Sequence, residues 1–110
     1  MSFDPIGAVV DWLDACREGE IAALIPLYHP QAVHICGEER AQGHAELSRY
    51  WERYLPAPHP QAFQLRDVAI EANHIVLQYL DFDGKPARSH FEFDDDGRIV
   101  AMRCSFGCNA

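Results

Sequence analysis

A chain of 110 residues with 48% hydrophobic and 24% charged side chains has the size and composition of one globular domain, residues 1–110, able to bury its own core. Its formal net charge of −8 and lack of a clustered Lys/Arg surface exclude nucleic acid as an expected partner. No apolar run approaches the roughly 20 residues that span a bilayer, and Met1-Ser2-Phe3-Asp4-Pro5 lacks the basic start of a secretion signal. No membrane partner is expected, and a cytoplasmic location is.

Asp4-Pro5 sets a capping side chain before a proline suited to the first helical position, and Ile6, Val9, Val10, Leu13 and Cys16 continue as one apolar stripe. Gly19 ends that helix. Ile21, Leu24, Ile25 and Tyr28 repeat at helical spacing, so a second, short helix is predicted, bent or cut by Pro26. Ala32 to Cys36 reads as a strand with Val33 and Ile35 on one face and His34 and Cys36 on the other. Gly43 opens a third helix whose Leu47, Tyr50, Trp51, Tyr54 and Leu55 form an apolar face, and Pro56-Ala57-Pro58-His59-Pro60 ends it. Strands are predicted near 62–71, 74–82, 87–93 and 98–106, separated by the turn signals Ala72-Asn73, Asp83-Gly84 and Asp94-Asp95-Asp96-Gly97.

Helices first and an antiparallel meander afterwards is an α+β pattern: a bent sheet with helices across its concave side, enclosing a cavity. In the strand 74–82, Gln78 is in phase with Val76 and Leu80 and is read as aimed into that cavity, with Tyr79 and Asp81 outward. His90, Glu92 and Arg103 have outward parity. Parity in 62–71 stays open, so an inward Asp67 or Glu71 is an alternative.

The segments Ala8-Val9-Val10 with Trp12, Cys16 and Gly19, Arg66 to Ala72, His90-Phe91-Glu92-Phe93, Gly97-Arg98-Ile99-Val100 and Met102 to Gly107 follow one another in a familiar order. Together they resemble the ketosteroid isomerases, within the broad group of SnoaL-type polyketide cyclases and nuclear transport factor 2-like (cystatin-like) proteins. The resemblance covers nearly the whole chain. It implies a cone-shaped barrel made by a strongly bent, mostly antiparallel sheet, with three N-terminal helices over the concave face. The isomerase mechanism uses a tyrosine and a protonated aspartic acid to hold an enolate oxygen, and a second aspartate to move the proton. At the matching positions this sequence has Trp12, Ser89 and Cys36. Losing a positioned base costs about 10²–10⁴ in rate and losing an oxyanion donor about 10²–10³. Steroid isomerisation is therefore not expected.

The resemblance places Trp12, Tyr28, Tyr50, Trp51, Met102 and Phe106 where the family lines its pocket, although each side chain singly reads as core. Val76 is taken as a further wall, and Gln78, Ser89 and His34 as its uncharged polar groups. His34 and Cys36 share a strand face, with Cys104 opposite. Their i, i+2 spacing is loose for a thiol–imidazole pair, so buried thiols beside a satisfied histidine are the favoured reading. The spacing of Cys16, Cys36, Cys104 and Cys108 fits neither a zinc ribbon nor CxxC, and four free thiols are expected. Asp94 to Gly97 reads as a hairpin turn, because position 12 of a calcium loop starting there is Ser105. No metal and no cofactor are called for.

The expected function is binding of a neutral, hydrophobic small molecule in an apolar pocket, without a defined reaction. The alternatives are a pocket enzyme of the isomerase, cyclase or dehydratase kind with Trp12, Gln78 and Ser89 as orienting donors, a non-catalytic dimerisation module, and a thiol reaction at Cys36. A homodimer is expected across the outer sheet face, through Ile75, Leu77 and Tyr79.

Overall fold

The computed structural model describes residues 4–55, 63–71, 74–81 and 84–106, with backbone alone for 105 and 106. Helix α1 (Pro5–Glu18) starts where Asp4 Oδ1 accepts the Ile6 N–H at 3.1 Å, with Pro5 supplying a fixed φ and no donor to leave unpaired. It stops at Gly19, whose φ of 66° is the left-handed conformation glycine takes without a Cβ penalty. Val9, Trp12, Leu13, Ala15 and Cys16 are its buried face, whereas Ile6 at the first turn is 40% exposed.

Pro26 acts as predicted. Helix α2 (Ile21–Leu24) lasts one turn and continues as the 3₁₀ segment Ile25–Leu27. Strand β1 (Tyr28–Cys36) begins four residues before the predicted one and turns at Gly37, where φ is 61°, into β2 (Glu39–Gln42), a strand not foreseen. Helix α3 (Gly43–Tyr54) buries Leu47, Tyr50 and Trp51, and its His44 Nε2 lies 2.8 Å from the Tyr28 carbonyl, fixing its start over β1. Strands β3 (Leu65–Glu71), β4 (His74–Leu80), β5 (Pro86–Phe93) and β6 (Ile99–Phe106) form the antiparallel meander.

The six strands are ordered β2-β1-β6-β5-β4-β3. The sheet is curved but open, with β2 and β3 as its edges, so the barrel expected from the resemblance does not close. Every neighbouring pair is antiparallel except β1 and β6, which run parallel with Cys36 opposite Cys104.

The β4 phase is the reverse of the prediction. Ile75, Leu77 and Tyr79 are buried on the concave face, while Gln78 is exposed and Val76 and Leu80 are half-buried on the other. Val76 and Gln78 are thus removed from the inner face. Asp81, expected outward, follows the inner phase and is buried, with Oδ1 accepting the Lys85 N–H at 3.0 Å in the β4–β5 turn. Asp67 and Glu71 are exposed, so neither is an inward carboxylate. Along β5, Ala87, Ser89 and Phe91 face in; His90, Glu92 and, on β6, Arg103 face out as predicted.

Candidate functional site

The inner face is organised around Trp12, which has no exposed surface. Its ring meets Trp51, Phe63, Tyr79 and Phe91 edge-on, with centroids 5.9, 6.1, 5.5 and 5.1 Å away. This is the favourable T-shaped arrangement of aromatic quadrupoles. Trp12 Nε1–H donates to Tyr28 Oη at 3.1 Å, and Tyr28 Oη–H donates in turn to Met102 Sδ at 3.4 Å. Tyr79 Oη and Ser89 Oγ share a hydrogen bond of 2.8 Å. Two of the three positions that the resemblance matches to isomerase chemistry, Trp12 and Ser89, thus bond to protein groups.

The third, Cys36, faces Cys104 across the parallel pair, with Cα atoms 4.7 Å apart, and the two sulfurs are joined as a disulfide. This corrects the expectation of four free thiols. Parallel pairing of strands distant in sequence made the two residues neighbours, and no spacing rule reaches that far. Cys16 is a free, buried thiol, and Cys108 lies outside the described residues.

His34 is fully buried beneath α3, its ring 4.4 Å from that of Tyr50 and 5.4 Å from that of Trp51. Its Nε2 is 3.7 Å from Cys104 Sγ, and its Nδ1 has no hydrogen-bond partner among the described residues. The satisfied histidine of the sequence reading is therefore only half satisfied. Burial lowers its pKa to about 4, so the ring is neutral at pH 7. Burial also pushes the hydroxyls of Tyr28, Tyr50 and Tyr79 above the usual tyrosine range, which keeps them as protonated donors. The buried carboxylate among the described residues is Asp81, held by its turn.

A crevice of about 380 Å³ opens beside this cluster, between β2 and α3. Tyr50 and Ala41 are its buried members, with Glu39, Arg40, Glu46, Arg49 and Arg53 around them. Glu39 accepts from Tyr54 Oη–H and, at 3.1 Å, from Arg53, so part of the charge is compensated within the wall. Of the predicted pocket residues, Tyr50 alone lines this crevice; Trp12, Tyr28, Trp51 and Met102 pack on one another, and the Phe106 side chain lies outside the described residues. The β2 residues escape a reading by periodicity because Gly37-Glu38-Glu39-Arg40 shows no apolar alternation. The Gly37 turn signal was the available clue.

The model of the SnoaL-like domain matches residues 9–102. The fold is similar to that of a SnoaL-like protein of unknown function from Burkholderia thailandensis, at 17% identity and TM-score 0.80 over 91% of each chain. An NTF-2 like protein of unknown function from Burkholderia xenovorans is similar at 21% identity and TM-score 0.75, over 96% of this chain and 86% of that one. A putative polyketide cyclase from Sinorhizobium meliloti is similar at 20% identity and TM-score 0.73, over 93% and 99%. At these identities the likeness shows the fold alone. No curated protein matches the chain.

Proposed function

The chain belongs to the SnoaL-like domain family, and from that premise we propose that it binds a small, neutral, largely hydrophobic molecule and does not carry out steroid isomerisation. The observation that supports this reading is the state of the three isomerase positions: Trp12 is bonded to Tyr28, Ser89 to Tyr79 and Cys36 to Cys104. None offers a carboxylate, and each is already engaged. The ligand is proposed to enter at the crevice and lie on Tyr50 and Ala41, where the charged wall meets the aromatic inner face. A neutral ring gains about 25 cal/mol per Å² of apolar area removed from water.

Thermal shift and tryptophan quenching at pH 7.5 test this, with neutral aromatics and steroids against nucleotides and acyl phosphates. Saturable binding of the neutral set is expected, weakened about tenfold or more by Tyr50→Ala through lost ring contact. Binding of the anionic set alone overturns the reading, and so does turnover of a Δ5-3-ketosteroid above a denatured control.

A homodimer across the outer sheet face belongs to the same proposal, on changed residues. Ile75, Leu77 and Tyr79 are core, which leaves half-buried Val76 and Leu80, with half-buried Ala69 paired to Val76, as the apolar part of that face. Sedimentation at micromolar concentration is expected to give a dimer that Val76→Lys dissociates. A monomeric wild type refutes it.

A further inference from the structure

We propose that His34, Cys36 and Cys104, once the two cysteines are reduced, form a binding site for one thiophilic divalent cation of the zinc type. Their ligand atoms all lie within 4.8 Å of one another, contributed by adjacent strands β1 and β6 of one sheet. In a tetrahedral zinc site with Zn–S of about 2.3 Å and Zn–N of about 2.0 Å, ligand atoms stand roughly 3.5–3.8 Å apart. The 3.7 Å between His34 Nε2 and Cys104 Sγ already has that length.

The histidine gives the second argument. The fully buried imidazole makes one weak polar contact, between Nε2 and Cys104 Sγ, so Nε2 is the ring nitrogen presented to a cation held by the sulfurs. Its ring is held on one side by Tyr50 and Trp51 and presents Nε2 to the sulfurs on the other. Fixed orientation toward two soft donors is what a metal ligand requires. Charge is consistent too: two thiolates and a neutral imidazole make the loaded site electrically neutral, so the apolar wall has no net charge to desolvate. Cys36 is the half-buried member and sets the site at the rim, where water can take a fourth position.

The chemistry balances in two steps. Two external thiols deliver two electrons and two protons to the Cys36–Cys104 bond, yielding two cysteine thiols and one external disulfide. The cation then forms two metal–sulfur bonds and one metal–nitrogen bond, and the two thiol protons pass to solvent. Binding is therefore gated by oxidation, since the disulfide removes both thiolates.

This inference does not rest on the small-ligand reading, and its test leaves that reading untouched. Full-length protein, reduced with a phosphine under anaerobic conditions and freed of metal, is titrated with Co²⁺ and then Zn²⁺. The expected result is one Co²⁺ per chain with a thiolate-to-cobalt charge-transfer band and intense tetrahedral visible bands, all displaced by Zn²⁺. Cys36→Ser and Cys104→Ser should each weaken binding about 100-fold or more, and His34→Gln about tenfold while retaining the sulfur band. Cys16→Ser and Cys108→Ser should bind as the wild type does. Oxidised wild type must show no band, a comparison that needs no variant to fold. Absence of the band in the reduced protein, its persistence in Cys36→Ser, or its loss in Cys16→Ser or Cys108→Ser overturns the proposal.

Discussion

Trp12→Ala is expected to lower folding stability by about 3–5 kcal/mol, the range for deleting a large aromatic from a packed core. The indole is fully buried, and four rings meet it edge-on, so the cavity left by its removal is bordered by rigid groups that cannot collapse into it. The loss also strips Tyr28 Oη of its donor. Trp12→Phe separates these contributions: it keeps much of the apolar volume, removes the N–H, and should cost about 1–3 kcal/mol. Urea unfolding followed by circular dichroism measures both. A cost below about 1 kcal/mol for Trp12→Ala would show that the ring cluster is not the centre of the core.

Acidification should destabilise the oxidised, metal-free protein by about 3 kcal/mol through His34 alone. The ring titrates near pH 4 when folded, because burial disfavours its cation, and near pH 6.5 when the chain is unfolded. Between those values the unfolded chain binds the extra proton, so stability rises with pH across that window and is flat in this respect above it. Below about pH 4 both states are protonated and the penalty is complete. Tyr50, Trp51 and Cys104 face the ring, and none supplies a negative charge at these pH values to hold the cation. Unfolding curves at pH 7 and pH 4.5 should differ more for the wild type than for His34→Gln, in which this proton is absent while the surface carboxylates are unchanged. Equal differences would show that His34 is open to water.

Much of the helical layer was legible in the sequence because its signals are local. Asp4-Pro5 and Gly19 delimit α1 through a cap and a left-handed residue, and Pro26 cuts α2, each within a few residues of its cause. The hairpin signals likewise separated β3 to β6 near the observed boundaries. The phase of β4 was not legible, because Ile75, Leu77 and Tyr79 on one face and Val76 and Leu80 on the other are both apolar sets. Alternation then fails to choose, and Gln78 was the discriminating residue: a lone amide in such a strand marks the solvent side. The site was less legible than the fold. Cys36 and Cys104 are 68 residues apart, and only the register of β1 on β6 brings them and His34 together.

That parallel pairing also bears on how the molecule reaches its folded state. Strand β1 lies between β2 and β6, and α3 packs over β1. During synthesis from the N-terminus, α1 to α3 and the β1–β2 hairpin emerge well before the strand that must cover the other edge of β1. Joining β1 to β6 requires closing a loop of about seventy residues, an entropy cost met before the contacts that reward it. The ribosome-bound chain therefore carries an unpaired, apolar β1 edge until the eight residues of β6 are released. For this fold the decisive step comes late, when β6 docks beside β1.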